Sequence, residues 1–481
     1  THAAGVVVTD KPAVEYLPLH RPTGNTQDTP IKTVTQFPMS IIDAQGLLKV
    51  DFLGLATLTI MAKACDLICK RHGVDYNLQT IPVDDPESFK LLGRGETAGV
   101  FQVEGAGMRR YLVEMKPTSL EHMIAMISLF RPGPMMFIPS YIRRMHNEEE
   151  VSYAHPKLEP IFKETYGIAV YQEQIMRAAV EIAGYTASQA DYLRKAISKK
   201  KEKQLKQHSI KFVEGAVKNG IDRETAVGIF ENWKEFARYG FNKSHAADYG
   251  VIAVQTAFLK AHYPVEYMTA LLSVSLSDSN KVALYVADCR HMGIEVHPPS
   301  VQTSGWDFTI EDHPDSKPGI RFGLGAIKNV GQGPVETILE AREIGPFKDL
   351  NDFIQRVDMR KVGKRALESM IKVGALDAFG NRNLLMENMD RIMGISVSHF
   401  KAKDAGQMFL FGAKSGTALK LNLQNTLYES NQRELLKWEK ELIGLYVSDH
   451  PLTPVMDVIT QNVSHFAHEL LDAEDKQKVR V

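Results

Sequence analysis

The sequence is poor in cysteine, has almost no net charge and contains no long apolar run. Only three cysteines, Cys65, Cys69 and Cys289, occur in 481 residues. That excludes a disulfide framework and suits a reducing, cytoplasmic setting. Cys65 and Cys69 lie four apart on a predicted helix with His72 just beyond. A zinc site there competes with buried free thiols, and no second ligand pair has the spacing that zinc requires. The 57 basic and 58 acidic residues leave a net charge of −1, so no chain-wide field announces a nucleic-acid partner, and any basic surface must be local. No apolar stretch reaches the roughly 20 residues of a membrane span, and no signal-peptide pattern is visible. The chain opens on Thr1 rather than Met, and Gly5 runs at once into Val6-Val7-Val8, as if inside an element. It reads as a piece of a longer protein.

What is present is ordinary in bulk: 44% hydrophobic and 24% charged residues, as in soluble globular proteins. The length suits about three domains of ~150 residues. Residues 1–55 read as strands with turns, notably 6–9 and 47–53. From 55 to about 272 the helical period dominates, with helices predicted over 55–71, 188–217, 223–238 and 246–262. Thr186 and Asp222 read as helix starts. Arg131-Pro132-Gly133-Pro134 breaks the pattern, because a helix interior excludes proline. Residues 277–297 read as a helix and a short strand, 312–320 as a loop, and 322–393 as short helices separated by glycines. Residues 401–418 read as a linker, and 429–442 as an amphipathic helix. The expected fold is mainly α with a small α+β portion.

Asp51 carries the most chemical information. It sits in Leu47-Leu48-Lys49-Val50-Asp51-Phe52-Leu53, which otherwise reads as a buried strand. A buried carboxylate requires a compensating cation or metal. Strand alternation puts Leu48, Val50 and Phe52 on one face and Lys49 and Asp51 on the other. A carboxylate for Mg²⁺ beside a lysine for phosphate suits phosphoryl transfer. A surface ion pair at a strand end is the commoner meaning of these residues alone.

A second concentration is basic. Arg194, Lys195, Lys199, Lys200, Lys201, Lys203 and Lys206 crowd one stretch, opposed only by Glu202. A triphosphate or a nucleic-acid backbone would match that field, although lysine runs are more often solvated helix faces. Gly240-Phe241-Asn242-Lys243-Ser244-His245 precedes a helix, where backbone N–H groups and the dipole favour anions. An ordinary N-cap would explain the Ser but not the adjacent Lys and His.

Several segments then resemble one family in order: Lys49-Val50-Asp51-Phe52-Leu53-Gly54-Leu55, Gly99-Val100-Phe101-Gln102, Arg131-Pro132-Gly133-Pro134-Met135, Val170-Tyr171-Gln172-Glu173-Gln174 and the Gly240 to His245 run. The chain resembles the bacterial C-family replicative DNA polymerases, the alpha subunits of DNA polymerase III. The resemblance runs from the start to about Leu452. It implies the C-terminal part of a palm over 1–55, helical fingers over 56–321, a tandem helix-hairpin-helix module over 322–400, a linker over 401–420, and a helix leading toward an OB-type domain over 421–481. It makes Asp51 the third palm carboxylate, helping to hold two Mg²⁺ ions. Lys49, Arg131, Arg194, Lys195, Lys199, Lys200, Lys243 and His245 would meet dNTP or template–primer phosphates. The family's other two palm aspartates lie upstream of the first residue, so this stretch alone is not expected to polymerise. Ser198 stands where the family usually has Gly.

Downstream, Ile327-Lys328-Asn329-Val330-Gly331-Gln332-Gly333-Pro334 has the glycine pattern of a helix-hairpin-helix turn, with Pro334 fitted to the first helical turn. A looser copy ends at Gly374, about 43 residues after Gly331. Tight helix–helix turns without ligand are the plainer meaning of one copy; two copies favour sequence-independent duplex binding through Gly331, Gly333 and Gly374. Gln407-Met408-Phe409-Leu410-Phe411 places four large apolar residues in a polar linker, which calls for a partner groove or an internal plug. It resembles the sliding-clamp motif of bacterial polymerases, with Gln407 hydrogen-bonding, Leu410 and Phe411 filling pockets, and Met408 among the clamp-binding residues. The implied partners are primer–template DNA, dNTP, the clamp and other replicase subunits, at the nucleoid in the cytoplasm and without a membrane. A non-catalytic DNA-binding and clamp-tethering scaffold, and another metal-dependent nucleotidyltransferase, are the competing classes.

Overall fold

The computed structural model describes residues 5–22, 33–52, 54–198, 202–236, 240–312, 317–405, 421, 431–449, 451–464 and 477–480. The chain forms two compact units, Thr1–Thr59 and Ile60–Val481.

In the first unit, strand Gly5–Val8 pairs antiparallel with Leu48–Asp51, so that Gly5 faces Asp51 and Val7 faces Lys49. Leu19–His20 pairs with Val34–Thr35. Helix Met39–Ala44 buries Ile42 and ends at Gly46, whose φ of 75° turns the chain into the second strand. The strand carrying Asp51 is not buried as its composition predicts. A two-stranded ribbon can cover only one face, and here Val6, Val8, Leu48 and Phe52 lie on the open side, with Leu48 62% and Phe52 69% exposed.

The second unit is helical, as expected. Helix Lys243–His262 is its axis and buries every residue from Ala253 to Lys260. It packs on helices Leu120–Leu129 and Pro86–Gly93. Gly250 permits close approach, because a Cβ there would stand 2.8 Å from Ile124. A second core joins helices Gln172–Ala183, Ala187–Ser198, Glu202–Lys218 and Arg223–Phe236 around Ile182, Leu193, Phe212 and Trp233. Within the stretch predicted as one helix over 188–217, the described residues form Ala187–Ser198 and Glu202–Lys218, and each brings apolar residues to this same core. Gly215 rests on the Ala183 carbonyl, with an added Cβ only 2.2 Å from that oxygen.

A three-stranded sheet follows. Gly319–Arg321 lies between Val296–His297, to which it is parallel, and Thr309–Glu311, to which it is antiparallel. Short helices then run from Gln332–Arg342 to Met389–Asp404. The last of these extends into the stretch read as linker and moves its start beyond Asp404. Helix Gln432–Ile443 is tied back by fully buried Glu439, which accepts from Arg382 at 3.0 Å. Cys65 and Cys289 are buried thiols, but Cys69 is exposed, a correction to its predicted burial. The chain winds as a helix over Ala56–His72, and Cys69 falls on its outer side.

Lys260 is 1% exposed, and its ammonium donates at 2.8 Å to the carbonyls of Glu96 and Ala98 and pairs with Asp288 at 2.8 Å. Removing one partner of a buried pair costs about 3–5 kcal/mol. Lys260→Met is expected to lower the urea unfolding midpoint accordingly, while the exposed control Lys281→Met should leave it in place. Equal midpoints would show that the Asp288 charge is solvated by other means.

Candidate functional site

The site is built where two helices begin side by side. Val170 to Gln172 runs parallel to Gly240 and Phe241: the Phe241 N–H donates to the Val170 carbonyl at 3.0 Å and the Gln172 N–H to the Phe241 carbonyl at 2.9 Å. Helices Gln172–Ala183 and Lys243–His262 thus present neighbouring N-termini, where the dipoles favour negative charge. Both starts are capped. Gln174 Oε1 accepts from the Val170 and Tyr171 N–H groups at 3.0 Å each, and Asn242 Oδ1 accepts from the His245 N–H at 2.9 Å.

Side chains cross-link these starts. Gln172 donates to the Gly240 carbonyl at 3.0 Å and accepts from Arg194 at 3.2 Å. Glu173 accepts the Lys243 N–H at 2.9 Å. The break at Pro132-Gly133-Pro134 is a real turn, with Gly133 at φ 105°. It sets the Arg131 guanidinium 4.2 Å over the Phe241 ring, with its Nε donating to the Ser128 carbonyl at 2.8 Å. Burial pushes the Arg131 pKa down. The His245 ring stands 5.6 Å from Phe241 and 4.5 Å from Tyr249, which in turn lies 5.1 Å from Phe101. A row of rings thus runs from the Arg131 guanidinium to the loop bearing Gly99 and Phe101.

The cations do not stand open. Arg194 and Lys195 both pair with Asp191, each at 2.7 Å, and Lys195 and then Arg194 hold that carboxyl below its usual range. Lys243 pairs with Glu164 at 2.6 Å. The structure therefore brings Arg131, Arg194, Lys243 and His245 around one pair of helix starts, with Lys195 beside Arg194. Sequence reasoning gave no role to Gln172, Glu173, Glu164, Asp191, Phe101 or Tyr249. Two of the matching segments, at 99–102 and 170–174, contained half of these. Lys199 and Lys200 lie outside the described residues, as do Gln407, Met408, Leu410 and Phe411.

In the first unit, Lys49 pairs with Asp51 at 2.6 Å, and the Asp51 side chain is 40% exposed. Asp51 offers one carboxylate to a metal. Among the described residues no group of three or more His, Cys, Asp or Glu side chains could hold an ion. The residues present therefore fit one ligand of a Mg²⁺ site but do not complete a two-ion site.

The two glycine turns downstream differ. Gly331 is extended at φ −90° and ψ 173° before helix Gln332–Arg342. An added Cβ there would meet only Pro334, at 3.9 Å, and at Gly333 nothing within 4 Å. Gly374, at φ 83°, is instead packed beneath an ion pair: a Cβ would stand 2.2 Å from Arg382 and 2.5 Å from Asp377. The first turn leaves its backbone open to a ligand, and the second is filled by its own side chains.

Asp191 is the carboxylate that two cations share. Asp191→Asn is expected to tighten binding of inorganic triphosphate about fivefold and to steepen its loss with salt. Titration calorimetry at two salt concentrations measures both. Unchanged affinity and slope would mean that Arg194 and Lys195 do not face the anion.

Comparison with known proteins bears on all these segments. Residues 1–54 match the family model described as the bacterial DNA polymerase III alpha NTPase domain. Residues 57–220 match the bacterial DNA polymerase III alpha subunit finger domain, and 293–385 a helix-hairpin-helix motif. DNA polymerase III subunit alpha of Thermus aquaticus is 45% identical over 484 residues, covering 98% of this chain and 38% of that protein. The Chlamydia pneumoniae subunit is 41% identical, covering 96% of this chain and 37% of its own length. The Pseudomonas aeruginosa subunit is 39% identical, covering 99% and 42%. The chain thus spans 38%, 37% and 42% of these relatives. With likeness along almost its whole length, the chain belongs to the bacterial DNA polymerase III alpha-subunit family.

Proposed function

We propose that this chain contributes the fingers, part of the nucleotidyl-transfer centre and a duplex-binding module to template-directed DNA synthesis in chromosomal replication. The observation that carries the reading is the convergence of Arg131, Arg194 and His245 on the paired helix starts, beside a row of aromatic rings. The primer 3′-hydroxyl oxygen attacks the α-phosphorus of a dNTP and gives up its proton to solvent, the bond to the bridging oxygen breaks, and pyrophosphate leaves. Mg²⁺ would supply Lewis-acid stabilisation of the attacking and leaving oxygens, with Asp51 as one ligand and further carboxylates from elsewhere in a complete subunit. Lys49 would take a triphosphate oxygen in exchange for Asp51. Arg194 and Lys195, with Lys199 and Lys200, would neutralise the charge on the leaving pyrophosphate. The half-buried guanidinium of Arg131 would hold a phosphate in a poorly solvated setting, where charge attraction is stronger.

Gly331 and Gly333 would grip a duplex phosphate through the N–H groups of helix Gln332–Arg342. Gly374 would support that grip by shaping the second turn. Gln407, Met408, Leu410 and Phe411 would bind the sliding clamp, and other replicase subunits would complete the assembly at the nucleoid. Among the described residues no helix is long and apolar enough to cross a membrane. One observation favours a second reading, a DNA-binding and clamp-tethering scaffold without catalysis: Asp51 is exposed and paired with Lys49.

Asp51→Asn in an intact alpha subunit separates the two. Primer extension should be abolished while primer–template affinity, measured by fluorescence anisotropy, stays nearly unchanged. Retained extension would sink the catalytic assignment of Asp51, and an unmutated subunit that extends no primer would leave the scaffold reading. Replacing Leu410 and Phe411 together with Ala should weaken clamp binding about tenfold or more and shorten processive runs without slowing single-nucleotide addition. Unaltered clamp affinity in surface plasmon resonance would return these residues to an internal role.

A further inference from the structure

The family resemblance assigns Lys243 to phosphate, but its surroundings point elsewhere. Both Glu164 oxygens accept from its ammonium, at 2.9 and 2.6 Å. Its backbone N–H donates to Glu173 at 2.9 Å, and its ammonium lies 5.3 Å from the centre of the Tyr171 ring. The Tyr171 phenol is pushed far up, first by burial and then by the charges of Glu164, Glu121 and Glu173. Lys243 is thus held by Glu164 through its ammonium and by Glu173 through its N–H, whereas at Asp191 two cations share one carboxylate. A polyphosphate would have to displace both Glu164 oxygens to reach Lys243, but at Arg194 and Lys195 it would meet two cations that share a single carboxylate.

What the pair does mechanically is plain from its ends. Glu164 lies in the turn Lys163–Thr165. That turn is fixed to the Gln172–Ala183 helix by Gln174, whose amide donates to Thr165 at 2.8 Å and to the Ile161 carbonyl at 3.2 Å. Lys243 is the first residue of the other helix, two residues after Phe241 and two before His245. A bond between the two adds a side-chain tie to the backbone bonds that hold Phe241 and to the Asn242 cap on His245, and so bears on where both rings stand.

We propose that Lys243 acts through Glu164 as a positioning residue: the ion pair clasps the start of helix Lys243–His262 to the 164–174 segment and so sets Arg131 and His245 for the nucleotide. The role rests on the polymerase reading and alters only what Lys243 does within it. Half-exposed pairs add little to stability, so the clasp shows in catalysis rather than in folding.

The test is single-nucleotide incorporation by an intact alpha subunit carrying Lys243→Met, Glu164→Gln, or the charge-reversed pair Glu164→Lys with Lys243→Glu. Both single variants should lose between about tenfold and a hundredfold in kcat/KM, the cost of a misplaced binding group, with the thermal midpoint hardly moved. The reversed pair should recover to within about threefold of wild type, because an ion pair works in either polarity. A reversed pair as poor as Lys243→Met, together with a wild-type-like Glu164→Gln, would overturn the proposal and make Lys243 a direct phosphate ligand. If the reversed pair fails to fold, Glu164→Gln decides alone: a loss matching Lys243→Met supports the clasp, and wild-type rates overturn it. A wild-type subunit that incorporates no nucleotide would instead overturn the polymerase reading itself, and this role with it.

Discussion

Two backbone hydrogen bonds, between Val170 and Phe241 and between Phe241 and Gln172, hold the helix starts in register. They join segments about seventy residues apart in the chain. Everything at the site hangs from them. Phe241 can lie under Arg131 only because its own N–H and carbonyl are both engaged. Gln172 can reach Gly240 and Arg194 together only because it sits at the seam. Parallel pairing over so short a length is weak by itself. It persists because both helices that lead away from it are anchored in cores, one around Val254 and Ala257, the other around Ile175 and Ile182.

Electrostatics at this seam are arranged by exchange rather than by open charge. Arg194 and Lys195 in the basic helix and Lys243 at the helix start each have a carboxylate at hand. Asp191 serves two of them, and Glu164 one. Arg131 lies over an aromatic face and donates to a carbonyl, and burial pulls its pKa down. Under the proposed function an incoming anion would trade places with Asp191 at Arg194 and Lys195, while the Lys243–Glu164 pair stays closed.

Much of this was legible from residue order. The mainly helical class followed from apolar periodicity, and three of the four helices placed between 55 and 272 were close: 55–71 became Ala56–His72, 223–238 became Arg223–Phe236 and 246–262 became Lys243–His262; other helices there, such as Leu120–Leu129, were not placed. That 188–217 holds Ala187–Ser198 and Glu202–Lys218 as separate elements was not legible, because each taken alone has a sound helical period. The strand at Asp51 misled because apolar composition reports on burial that a two-stranded ribbon cannot provide. At the site, single-residue chemistry marked the cations, but their carboxylates are ordinary in sequence. Glu164 lies 79 residues from Lys243, and nothing local links the two. Gly331 and Gly374 looked alike as letters and differ in backbone conformation, extended in one and left-handed in the other, and in what stands over them, only Pro334 in one case and Arg382 with Asp377 in the other.

Lys260 gives the seam a property that its local contacts do not. It lies seventeen residues beyond Lys243 on the same unbroken helix, and its buried ammonium is fixed at three points. At 1.5 Å per residue that is a rod of roughly 26 Å. A rod of that length is a lever: a tilt of about two degrees at the buried end would swing the other by about 1 Å, the scale of misplacement that can cost a reaction two orders of magnitude. A charge sealed in the interior is thus placed to act as the fulcrum of helix Lys243–His262.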